Sequence, residues 1–133
     1  MSLPIGLQGE ARTVVAPENL ATAKLSGGAE GVEVFGTPMM IALMEHAAWQ
    51  AVKDSLDPGD VTVGTMVHIR HLAPTSLGQQ VRALATLVEV DRRRLLFQVE
   101  AFDEVQKIGE GQHGRTVVNL QRFLKRDEAQ EAG

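Results

Sequence analysis

Apolar and polar positions alternate with two different periods along the chain, and the change of period divides it into one helix and several strands. From Pro38 to about Leu56 the sequence PMMIALMEHAAWQAVKDSL is apolar through most of its length and free of internal glycine, which predicts a long helix. Thr37-Pro38 marks its start, a hydroxyl able to cap orphan N–H groups followed by a proline suited to the first helical position. Asp57-Pro58-Gly59-Asp60 ends it. Ahead of the helix, Glu10 to Ala16 reads as one strand closed by Pro17, and the glycine-rich Ser26 to Gly31 reads as a mobile loop. Beyond Asp60 the runs VTVGTMVHIRHLA, QQVRALATLVEV, RLLFQVEAF and HGRTVVNLQRF are rich in Val, Leu, Thr and Phe and predict four strands. Asp91-Arg92-Arg93 fits a tight hairpin between two of them, and the closing KRDEAQEAG is polar enough to fray.

One strand, one long helix and four consecutive strands imply an α+β architecture with a five-stranded antiparallel sheet. The first half of the helix is apolar nearly all round, so it is expected to lie enclosed, with the sheet curled around it. A sheet this small leaves edges and apolar surface uncovered, and a homodimer follows as the expected assembly, with further pairing to a tetramer left open. Residues 1–124 are expected to form the single domain and residues 125–133 a polar tail.

Composition narrows the function. A chain of 133 residues suits one hydrophobic core. It has no cysteine, which removes disulfides, thiolate metal sites and a cysteine nucleophile. A net charge of −4 with four Phe, one Trp and no Tyr offers neither the basic surface nor the stacking groups of a nucleic-acid binder. The longest apolar stretch, Met39 to Met44, is far short of a membrane span, and MSLPIGLQGE lacks the basic start and apolar segment of a secretory signal. The expectation is a cytoplasmic enzyme or small-molecule binder.

Few residues in this pattern invite chemistry. Glu45 interrupts the apolar helix and fits two readings. It belongs to a solvated stripe with Trp49 and Lys53, or it is a poorly solvated carboxylate suited to act as base or nucleophile. Strand parity puts Val63, Thr65, Val67, Ile69 and His71 on one face, expected to meet the helix, and Thr62, Gly64, Met66, His68 and Arg70 on the other. His68 and His71 therefore point apart and make a poor metal clip, so no metal site is expected. Gly64 inside a strand signals a bulge, the close approach of a ligand to the backbone, or mere tolerance. Arg115 could clamp a carbonyl or phosphate or sit on the surface. The Arg92 to Arg94 run reads as a solvated hairpin tip or a contact for substrate phosphates.

The ordered segments VFGTPMMIALMEHAAW, DPGDVTVGTMVHIRHLAPTSLGQQVRALATLVEV and RRLLFQVEAFDEVQKIGEGQHGRTVVNLQRF resemble the fluoroacetyl-CoA thioesterase family of hot-dog proteins, over about two-thirds of the chain from Val34 to Phe123. The resemblance implies a hot-dog fold and hydrolysis of an acyl-CoA thioester without a cofactor. By motif position it implies Thr37, Glu45 and His71 as the catalytic set, and Gly64, Arg115 and Phe35 as substrate contacts. In fluoroacyl-selective members an apolar, aromatic lid segment precedes the threonine. Here SGGAEGVEV stands there, which implies a short-chain or otherwise undefined acyl-CoA rather than selectivity for the fluorinated one. Two other readings of the same outline are a non-catalytic acyl-CoA sensor and a hot-dog hydratase or dehydratase. The latter resembles a pattern with histidine upstream of the helix acid, and no histidine precedes His46.

A length constraint accompanies these roles. Eight residues of helix span about 12 Å, so Thr37 and Glu45 cannot touch within one straight helix. Either Thr37 lies on a loop that folds back, or the site draws on two subunits; the second is the expectation.

Overall fold

The computed structural model describes residues 2–21 and 31–132. Strand β1 (Gln8–Val14) is followed by a short 3-10 turn at Pro17–Asn19, and helix α1 (Thr37–Val52) continues into a 3-10 turn at Lys53–Ser55. Strands β2 (Asp60–His71), β3 (Gln80–Asp91), β4 (Arg94–Phe102) and β5 (Lys107–Asn119) come next, and helix α2 (Leu120–Ala132) closes the chain. The five strands form one antiparallel sheet in the order β1-β3-β4-β5-β2, which leaves β1 and β2 as its edges. Of the glycine-rich Ser26 to Gly31, all but Gly31 lies outside the described residues.

β1 runs at Gln8–Val14, two residues ahead of the expected Glu10 to Ala16, and two later boundaries also differ from the sequence pattern. β5 opens at Lys107 rather than His113, because the glycines of Ile108-Gly109-Glu110-Gly111 serve close packing instead of a turn. A Cβ on Gly109 would fall 2.7 Å from Met40 Cε, so glycine there admits the α1 methionines against the sheet. At the other end, the polar tail expected to fray continues helix α2. Asn119 Oδ1 accepts the Arg122 amide at 3.1 Å and caps α2, whose Leu120, Phe123 and Leu124 recur at helical spacing.

The central strands show strict alternation. Val81, Ala83, Ala85 and Leu87 of β3 and Leu95, Phe97, Val99 and Ala101 of β4 are buried, and their neighbours face outward. Helix α1 buries Met40, Leu43, Met44, Ala47, Ala48, Ala51 and Val52, a single stripe of i, i+3, i+4 spacing. It lies mainly against β1 and β3. The approach to β1 is very close: a Cβ on Gly9 would overlap the backbone of Ala47 and Ala51. Placed there, α1 covers only half of the sheet. Its Ala42, His46 and Trp49 remain exposed, so the helix is less enclosed than its sequence suggests. On the β2 side Val67 is 48% exposed although it belongs to the concave face, leaving that half of the sheet open within one chain.

Candidate active site

Helix α1 starts at Gly36, whose position as N-cap offers no side-chain bond. Thr37 is thus the first helical residue rather than the cap, and its hydroxyl is used elsewhere. Thr37 Oγ1 and His71 Nδ1 share a hydrogen bond of 2.8 Å. This joins the start of α1 to the end of β2 across 34 residues of sequence. His71 Nε2 is buried without a hydrogen-bond partner among the described residues. Burial pushes the imidazole pKa below its ordinary value, against a smaller opposing pull from the Ala73 backbone. Thr37 and His71 line a cleft of about 340 Å³ whose other walls are Val34, Phe35, Leu72 and Pro74. Phe35 is fully buried behind Thr37, its amide bonded to the Thr75 carbonyl at 2.8 Å.

Glu45 stands two turns further along the same helix, in a second cleft with Ala42, His46, Trp49 and Arg115. Its Oε2 lies 3.8 Å from Arg115 Nη1 and 3.9 Å from His113 Nε2. The exposed stripe is present, with Lys53 Nζ 5.0 Å above the Trp49 ring, yet the carboxylate itself turns to a buried guanidinium. Because α1 is continuous from Thr37 through Glu45, the fold-back of Thr37 onto a loop does not occur. Within one chain the sequence-predicted set therefore separates into Thr37 with His71 and Glu45 with Arg115.

Gly64 explains how Glu45 fits. Strand β2 carries an extra residue at Thr65, so that Gly64 pairs with Arg115 and Met66 with Gly114. The bulge flips the parity: Thr62 and Gly64 face the helix ahead of it, and Val67, Ile69 and His71 face inward after it. Val63 and Thr65 thus fall opposite to their expected side, while His68 and His71 do point apart. The bulge read in this glycine is present, and a Cβ on Gly64 would stand 2.7 Å from Glu45 Oε2 rather than against a ligand. The approaching group is the chain's own carboxylate.

Arg115 is buried, not a surface residue. Its Nε donates to Thr62 Oγ1 at 2.9 Å, its Nη2 to the Thr62 carbonyl at 3.0 Å, and its Nη1 to His113 Nε2 at 3.2 Å. His113 and Thr62 are the residues that sequence reasoning missed. The spacing His113-Gly114-Arg115 carried the signal, since residues two apart on a strand share a face. Among the described residues no cluster of His, Asp and Glu could hold a metal ion.

With this geometry in place, comparison with known proteins is informative. Residues 15–121 match the family of fluoroacetyl-CoA-specific thioesterases. Over 95 residues the chain is 42% identical to the fluoroacetyl-CoA thioesterase of Streptantibioticus cattleyicolor, covering 71% of this chain and 68% of that one. A solved fluoroacetyl-CoA thioesterase superposes with a TM-score of 0.88 at 33% identity, over 97% of this chain and 98% of that one. A threonine-to-serine mutant of a fluoroacetyl-CoA thioesterase, solved with acetyl-CoA, superposes equally well at 33% identity over 96% of this chain and 98% of that one. A thioesterase superfamily member from Thermus thermophilus superposes at 0.86 with 28% identity, over 99% and 98% of the two chains. The curled five-stranded sheet around α1 is the hot-dog fold, and the chain belongs to the fluoroacetyl-CoA-specific thioesterase family.

Proposed function

We propose that the protein is a cytoplasmic acyl-CoA thioesterase that hydrolyses a short-chain acyl-CoA to the carboxylic acid and free CoA, without a cofactor, at a site shared by two copies of the chain. The observation that carries this reading is the Thr37–His71 hydrogen bond. A hydroxyl of helix-capping type is diverted to orient an imidazole whose other nitrogen is free to receive or give a proton. The lowered pKa keeps that imidazole neutral near pH 7.

Glu45 supplies the second group. Two routes use it. The carboxylate adds to the thioester carbonyl, expels CoA thiolate and forms a mixed anhydride that water opens. Alternatively it deprotonates the water that attacks directly. In the first route CoA leaves as the thiolate and the neutral His71 takes a proton from the water that opens the anhydride; in the second the proton taken from the attacking water passes by way of His71 to the departing thiolate. The backbone around Gly64 and the positive end of the α1 dipole are suited to receive the carbonyl oxygen as negative charge develops on it. Gly64, Arg115 and Phe35 line the substrate's path.

The separation along α1 supports the shared site. Thr37 and Glu45 stand about 12 Å apart along one axis, each at an open cleft, and the uncovered half of the concave face carries the exposed Val67. A two-fold pairing over this half sets the Thr37–His71 pair of one copy against Glu45 of the other, twice per dimer. The acyl group is read as short and unfluorinated because no aromatic residue occurs between Pro17 and Val34 to close over it.

Thiol release from acetyl-, propionyl- and fluoroacetyl-CoA tests the activity. Glu45→Ala and His71→Ala are each expected to lower kcat at least about a hundredfold. Co-expression of the two variants tests the sharing: if each site takes Glu45 from one copy and His71 from the other, a mixed dimer keeps one intact site of two, and a random pool, about half of it mixed, regains about a quarter of wild-type activity. No recovery places both residues in one subunit. Tight binding with no turnover of any acyl-CoA removes the enzyme and leaves a binding protein.

A further inference from the structure

A buried guanidinium is costly unless its donors are met, and the way Arg115 is met is unusual. No carboxylate forks onto it. Thr62 takes two of its N–H groups, through the hydroxyl and the backbone carbonyl, and a histidine nitrogen takes a third. That nitrogen can accept only if it carries no proton. His113 Nδ1 lies 2.8 Å from the Met66 carbonyl, an oxygen that can only accept, so the ring proton is at Nδ1 and the Nε2 lone pair faces Arg115. Met66 is the residue directly after the β2 bulge, so the same irregularity that opens space for Glu45 also aims the carbonyl that fixes this ring. Phe97 backs the imidazole at 6.4 Å between ring centroids, with the planes 28° apart.

We infer that His113 is a positioning residue: its neutral ring, oriented by the Met66 carbonyl, holds Arg115 together with Thr62 so that Nη1 is presented to the Glu45 carboxylate. The inference rests on the thioesterase reading for the role of Glu45. At 3.8 Å the guanidinium lends positive charge without tying up both carboxylate oxygens, as a forked pair would. Glu45 therefore keeps lone pairs for substrate or water while its charge is balanced. The groups facing His113 from the packed elements are Glu45 of α1, Thr62 and Met66 of β2, Phe97 of β4 and Arg115 of β5. Burial first, and the neighbouring guanidinium after it, hold the ring's pKa below that of free imidazole, against the opposing pull of Met66 and Glu45. The ring stays neutral, as the Arg115 bond requires.

The test separates this role from simple packing. In the wild-type protein, nitrogen-15 NMR of the histidine rings at about pH 7 is expected to show His113 protonated at Nδ1 and bare at Nε2. A proton on Nε2 overturns the inference, whether or not the protein turns over a thioester. His113→Gln keeps an acceptor towards Arg115 and His113→Leu removes it. The leucine variant is expected to lose kcat about ten- to a hundredfold with KM little changed, and the glutamine variant to recover most of that loss. Wild-type kcat in the leucine variant, or equal loss in both, overturns it. Should the leucine variant fail to fold, Thr62→Val removes the other side-chain acceptor of the same guanidinium and must lower kcat in the same way; unchanged kcat there also overturns it. A wild-type protein inactive on every acyl-CoA instead sinks the thioesterase reading, and the NMR result still decides what holds Arg115.

Discussion

Two residues at the site show how one atom group serves geometry and chemistry together. Thr37 has the sequence signature of a helix cap, yet its hydroxyl bonds His71 and the helix begins on an uncapped glycine. Glycine at the N-cap costs only about a few tenths of a kcal/mol against a hydroxyl residue, so freeing the threonine for His71 is nearly neutral for the fold. Gly64 is the complementary case. Its missing side chain leaves room for the end of a flexible glutamate, not for backbone, so Gly64→Ala can be relieved by moving the Glu45 carboxylate. The expected outcome is a melting temperature within a few degrees of wild type and a fall in kcat of about tenfold or more. Unchanged kcat would show that the carboxylate position is not critical.

Elements in this fold are placed by small residues. Gly9 and Ala11 on β1 face Ala47, Ala48 and Ala51 on α1, and the helix backbone rests almost on the strand. Gly9→Ala would drive a methyl into the main chain of α1, where nothing flexible can yield. A loss of about 3 kcal/mol or more is expected, read as a lower denaturation midpoint with an unchanged denaturant slope. The contrast with Gly64→Ala is the point: the same substitution costs stability in one place and activity in the other. Strand β2 is the element whose sequence pattern misleads. An extra residue at Thr65 reverses its faces midway, and no period-2 count along the strand can reveal which pairing its partner imposes.

At the scale of the whole molecule, burial of two imidazoles couples folding to acidity. His71 and His113 both have their pKa lowered, chiefly by burial, from the free value of 6.5. Below 6.5 the unfolded chain takes up protons that the folded one refuses, so stability falls as pH drops through this value towards the lowered ones. Asp103 behaves in the opposite chemical sense. Burial would raise its pKa, but the Val105 and Gln106 amides and the Thr75 hydroxyl more than offset this. Its stabilisation is present above the ordinary value of 3.8 and is lost as pH falls below it. A melting series is expected to show two acid-side declines, the first diminished in His113→Gln. A melting temperature flat from neutrality to about pH 5 would contradict the assigned burial of the histidines.

The sequence by itself determined the existence and type of most elements, because hydrophobic periodicity is local. The apolar runs of the five strands, clearest in the alternation of β3 and β4, and the continuous run of α1 suffice to specify five strands and one long helix. The family resemblance named Thr37, Glu45, His71, Gly64 and Arg115, and helix rise alone showed that Thr37 and Glu45 could not meet in one straight helix. Only the tertiary structure decided the rest. That Thr37 reaches His71, that Arg115 is buried and held by Thr62 and His113, and that β5 extends back through its glycines all depend on contacts between residues far apart in the chain. Such contacts are fixed by which strand pairs with which and in what register, and no local period carries that information.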